Sequence, residues 1–209
     1  MTPPANGQYY VAGEAPQVIV KLKEVSTGQY VDPATIAEPT WSRANLFVSG
    51  PRMGTVPVLT TAAGILPSTG YYANNDFRVR TNAANADPRV TRTADSVVYQ
   101  LATITNLTTG TYTVFVTVTP PSPALGGNAA LNFQVGSSTV EKLVAGNCAD
   151  CHGNTLMHGG YAFNPDICKN CHDYLHQQTG KTNWNSGNFG FGAAPLSRRV
   201  HGVHFGRYV

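Results

Sequence analysis

The chain has 209 residues, 42% of them hydrophobic and 12% charged, with a net charge of +3. That length allows one large domain or two small ones with a real core, and the charged share is about half the usual one. The Lys and Arg residues form no stripe, Arg198-Arg199 being the only adjacent pair, so nothing points to nucleic acid as a partner.

The low charge, with many Thr, Asn, Gly and Tyr, suits an exported or surface β-rich protein better than a cytosolic helical enzyme. No window approaches the roughly 20 apolar residues of a transmembrane helix. The opening "MTPPANGQYY" lacks the basic n-region and apolar h-region of a signal peptide.

From about Gln8 to Val135 the sequence reads as strands and turns. "QVIVKLKEV" places Val18, Val20 and Leu22 on one face, and "ANLFVSGP" is a short apolar run stopped by Gly50-Pro51. "SVVYQLATIT" and "GTYTVFVTVT" flank "NLTTG", which predicts a hairpin. In the second of these, Tyr112, Val114, Val116 and Val118 alternate with Thr111, Thr113 and Thr117, the pattern of a half-buried strand. "ALNFQV" repeats it with Leu131, Phe133 and Val135. No stretch here sustains a 3.6-residue period. The fold class is therefore a mainly β N-terminal domain, an antiparallel sandwich or barrel. It holds no His or Cys, and its few carboxylates, Asp76, Asp87 and Asp95 among them, look isolated.

After "GSSTVEKLVAG" the alternation stops and Cys, His, Gly and Asn take over. The domain boundary is placed near residue 138, giving a β domain over 1–137 and a second segment over 138–209. Val140 to Ala145 is expected to start a short helix, with Ser138 or Thr139 as its N-cap. Beyond Cys148 there is too little periodic apolar sequence for an ordinary core. About seventy residues without a core need something else to fold around.

That something is suggested by Cys148-Ala149-Asp150-Cys151-His152 and Cys168-Lys169-Asn170-Cys171-His172. Cys-x-x-Cys-His is the attachment signature of a c-type haem. Its two thiols reach the two vinyl groups of one porphyrin, and the histidine that follows is placed to ligate the iron. The sixteen residues between Cys151 and Cys168 also fit a four-cysteine zinc site, and four cysteines in an exported protein often form disulfides. Neither alternative uses His152 and His172. A lone Cys-x-x-Cys redox motif lacks its βαβ context. Two covalently bound c-type haems are thus the favoured cofactors. Their attachment is extracytoplasmic, so the protein is expected to be exported and the chain to be a mature or trimmed form.

Two bis-histidine haems need four histidines. His152 and His172 supply the proximal pair, leaving His158, His176, His201 and His204 for the distal pair, with Met157 also within reach. His158 lies six residues after His152, so at most about 20 Å of extended chain separates them. It serves the neighbouring haem more easily than its own, and Gly159-Gly160 lets the backbone turn close to a flat macrocycle. His201 and His204, an i, i+3 pair, project to one side of a short helix. His176, four residues after His172, falls on the proximal side and is the expected spare. Three distal candidates for two haems leave one histidine over, so a further haem beyond this sequence is expected.

The order "NCADCHG", "HGGY", "CKNCHD", "VHGVHFG" resembles the first haem-binding stretch of OmcA/MtrC-type outer-membrane multihaem cytochromes. "YYVAGEAPQVIVKLKE", "ANLFVSGPRMGTVPVLT" and "YTVFVTV" resemble the N-terminal β domain of the same family. The resemblance implies a Greek-key β domain, as a sandwich or split barrel, leading into an irregular haem-packed segment with short helices. It assigns Cys148, Cys151 and His152 to one haem and Cys168, Cys171 and His172 to another. It supports His158, His201 and His204 as distal ligands. It implies electron transfer at the cell surface, outer membrane or periplasm of a bacterium. Expected partners are other multihaem cytochromes, mineral or flavin, with self-association into a polymer as an alternative. Family members carry about ten haems, whereas two motifs are present here. A haem enzyme with an open iron is the other alternative, opposed by the surplus of histidines.

Overall fold

The computed structural model describes residues 1–33, 43–52, 56–60, 75–76, 88–119, 127–141, 148–153, 156–157, 161–162, 165–168, 200 and 204–205. The β domain contributes β1 (Gln17–Val20), β2 (Arg43–Gly50), β3 (Val56–Pro57), β4 (Asn75–Asp76), β5 (Val90–Arg92), β6 (Val97–Gln100), β7 (Gly110–Thr119) and β8 (Gly127–Val135). One antiparallel sheet has the order β1-β6-β5. A second has the order β3-β2-β7-β8, with β4 also paired to β2. Among the described strands no barrel closes.

Val18 of β1 and Val97 and Tyr99 of β6 join Leu46, Val48, Tyr112, Val114, Val116, Phe133 and Val135 of the second sheet in one buried apolar cluster. Alternation puts these residues on the inner face of each strand. The pattern holds for Val18, for the even positions of β7 and for the end of β8. Leu131, in the middle of β8, is the exception at 49% exposed.

The predicted hairpin across "NLTTG" does not form. β6 pairs with β1 and β5, whereas β7 pairs with β2 and β8, so residues 101–109 cross from one sheet to the other. The crossing strand end is held from elsewhere: Leu101 N–H donates to Pro16 O, Ala102 N–H to Leu59 O and Ile104 N–H to Glu14 O. Leu101 and Ile104 are buried, and this burial wins over the local turn signal. At the far end Tyr112 donates its hydroxyl hydrogen to Thr108 O at 2.7 Å. Its ring packs on Phe133 with centroids 5.6 Å apart. Gly50 passes directly beneath it: a β-carbon there would lie 2.7 Å from Tyr112 Cγ, so only glycine permits this approach.

The N-terminal arm closes part of the β8 edge. Tyr10 bridges Val135 in parallel, donates its N–H to Gln134 O and accepts from Gly136 N–H. Its ring meets Phe133 edge-on at 5.7 Å. Capping an edge in this way removes a template for intermolecular pairing. Asp95, expected to be isolated, pairs with Lys21 at 2.5 Å on the surface.

The larger correction concerns β7. Its threonine face was expected to meet solvent, yet Thr111, Thr113 and Thr117 are all buried, as is Phe115 between them. Phe115 stacks on its cross-strand partner Phe47 at 5.7 Å. What reaches part of this outer face is the segment that follows the β domain. Val140 and Glu141 are not helical, against expectation, and the rest of that predicted helix, to Ala145, lies outside the described residues. Glu141 N–H instead donates to Thr111 Oγ1 at 2.9 Å, and its carboxylate accepts from Arg52 N–H at 3.0 Å and Thr111 N–H at 3.3 Å.

Candidate haem-binding segment

Two short helices carry three of the four cysteines. α1 (Cys148–His152) is the first motif itself, and α2 (Pro165–Cys168) ends on the first cysteine of the second. One helical turn sets i and i+3 on the same side. Cys148 and Cys151 stand three positions apart on α1, with His152 following. Gly153, at φ +57°, ends α1 in the left-handed conformation that suits glycine. Between the helices runs a small antiparallel pair, β9 (Leu156–Met157) and β10 (Tyr161–Ala162). β10 lies against β8.

Cys151 and His152 are exposed and Cys168 is half-buried. Neither Cys151 nor Cys168 is in a disulfide. The second motif beyond Cys168, namely Cys171 and His172, lies outside the described residues. So do His158, which falls between β9 and β10, His176 and His201. Among the described residues no three His, Cys, Asp or Glu side chains gather as a metal cluster.

The structure does bring two histidines together across 52 residues of sequence. The rings of His152 and His204 have centroids 6.1 Å apart and planes at 87°. Two imidazoles coordinated on opposite faces of one metal, each with its nitrogen about 2 Å away, hold their centres about 6 Å apart. Edge-to-face aromatic pairs have similar separations, but both of these rings are exposed and gain little apolar burial from the contact.

A second detail concerns the tautomer of His204. Val200 and His204 are both helical, and His204 Nδ1 lies 2.8 Å from Val200 O. A carbonyl only accepts, so Nδ1 carries the hydrogen and Nε2 keeps its lone pair. Metal-binding histidines are commonly anchored in this way, through the nitrogen that does not bind the metal. The donor types present are those a c-type haem on α1 would need: two cysteines three positions apart, His152 next to the second, and His204, anchored through Nδ1, with its ring 6.1 Å from that of His152.

Sequence reading missed a polar cluster at the junction with the β domain. Asp166 of α2 lies 3.4 Å from Arg52 Nη2 and accepts from Asn132 Nδ2 at 2.9 Å. Arg52 also donates through Nη1 to Glu141 O. Beside Asp166, Ile167 is 5% exposed. An arginine following "SGP" carries no motif. The one available signal was the scarcity of charge, which makes every Arg and carboxylate a candidate for a specific contact.

Comparison with protein-family models, curated proteins and solved structures found no match. Among the described residues no helix is long and apolar enough to cross a membrane.

Proposed function

We propose that this protein is an electron carrier holding two covalently attached c-type haems, working in electron export at or beyond the bacterial outer membrane. The observation that carries the reading is the approach of His204 to within 6.1 Å of His152 beside the first Cys-x-x-Cys-His motif, with His204 anchored through Nδ1.

In this reading Cys148 and Cys151 would hold the first haem covalently, and His152 and His204 would bind its iron. Cys168, Cys171 and His172 hold the second, with His158 or His201 opposite. Bound haem iron supplies one-electron redox chemistry. The chain's own work is to fix position and ligation. The Val200 carbonyl holds the His204 ring in one tautomer and makes Nε2 a better donor. With two histidines held for each iron, the bound haems would supply electron transfer without making or breaking substrate bonds. Suitable partners are other multihaem cytochromes, flavin or a mineral surface.

The finer fold reading, a Greek-key sandwich, is supported by the crossing from β6 to β7 between sheets. The Tyr112 hydroxyl bonded back to Thr108 supports it too, since this tyrosine corner is a device of such sandwiches.

Optical spectra of the oxidised and reduced protein, with a pyridine haemochrome assay, test the proposal. The expected result is two covalent haems per chain, both low-spin. A colourless, zinc-containing protein would overturn it, and a high-spin haem in the native chain would favour a haem enzyme instead.

A further inference from the structure

The β domain has a role in this scheme that the Arg52–Asp166–Asn132 cluster assigns. We propose that Asp166 is a latch docking the second haem motif onto the β domain, and that with Arg52 it tunes the haem held by Cys168. This rests on the haem reading of Cys168.

Asp166 lies two residues before Cys168, at most about 7 Å along the chain. Both charged side chains are nearly enclosed, at 10% exposure for Arg52 and 15% for Asp166, so water screens them poorly. The anchors come from separate parts of the second sheet: Arg52 follows β2, and Asn132 lies on β8. Asn132 is itself fixed, accepting from Thr113 Oγ1 at 2.8 Å. Arg52 is held further by Glu141, through its own backbone N–H and its guanidinium. The latch therefore joins α2, through Asn132, to Thr113 on the threonine face of β7. Ile167, next to Asp166 in α2, is buried.

A latch of this kind differs from a purely structural contact in what its charges do. An oxidised haem carries one more positive charge than a reduced one. Loss of the carboxylate disfavours the oxidised form, and loss of the guanidinium favours it.

The test uses the full-length protein with its haems attached. Spectroelectrochemical titration of Asp166→Asn should raise the midpoint potential of one haem and leave the other in place. Arg52→Met should lower that same haem's potential. The responding haem should be the one that keeps its spin state when His204 is replaced. Asn132→Ala, an exposed change that keeps both charges, should speed tryptic release of the β domain from the haem-stained fragment roughly 10-fold, as expected for loss of a charge-assisted bond. Two haems present with no shift, or with shifts of the same sign in both variants, would overturn the latch while sparing the carrier reading. A pyridine haemochrome assay showing no haem would overturn both.

Discussion

Replacing His204 by alanine should convert one haem of the two to high-spin, five-coordinate iron while both stay covalently attached. The expectation follows from the division of labour at the first motif. In the proposed reading attachment depends on Cys148 and Cys151, which the substitution does not touch, so the haem count should stay at two. In that reading the second ligand is one imidazole, that of His204, held by the Nδ1 bond to Val200 O. The oxidised protein should therefore show an even mixture of high-spin and low-spin signals by electron paramagnetic resonance. Added imidazole should restore the low-spin form. His204→Met should keep six-coordination and raise that haem's potential, as methionine ligation does. If His204→Ala leaves both haems low-spin, the 6.1 Å contact with His152 is an ordinary surface pairing and another histidine completes the site.

That single pair shows what was and was not legible in the sequence. The two Cys-x-x-Cys-His motifs were readable because they are a local spacing, and local spacing is what a sequence displays. The distal assignment was open between His158, His201 and His204, since a ligand from the far face can arrive from anywhere along the chain. Bringing His204 to His152 is a tertiary event. The same division runs through the β domain. Val18, Tyr112, Val114 and Phe133 were readable as core because a pleated strand sends alternate side chains to one side. The partner of each strand was not. "NLTTG" looks like a hairpin turn, yet Leu101 and Ile104 draw the chain into the core and across to the second sheet. The threonine face of β7 misled for a related reason. Threonine is equally at home facing water or facing partners such as Gln134 and Asn132, to which Thr111 and Thr113 donate. Only the position of the following segment decides between them.

Tyr112→Ala should be among the most destabilising single changes in the β domain, at about 3–5 kcal/mol for a fully buried aromatic. Its ring is 1% exposed, packs on Phe133 and roofs Gly50, where no β-carbon fits. Removing it opens a cavity at the point where β2, β7 and β8 meet. Tyr112→Phe isolates the polar share. It keeps the packing and leaves the Thr108 carbonyl without its donor, at a cost of about 0.5–1.5 kcal/mol. Denaturant unfolding followed by tyrosine fluorescence or far-UV circular dichroism would measure both. The two variants should also differ from the native chain in alkali. Burial raises the pKa of Tyr112, helped by the nearby Glu141 carboxylate, and burial also raises that of Tyr10. The folded chain thus holds these protons more tightly than the unfolded chain does. Their contribution to stability is fully present below the unfolded tyrosine value of about 10 and is lost as pH rises through the folded values. Tyr112→Phe removes one of the two groups, so its stability should fall less steeply above pH 10 than that of the native protein, though from a lower plateau. Equal slopes would mean that Tyr112 ionises as readily in the folded domain as in the unfolded chain, which its enclosed position argues against.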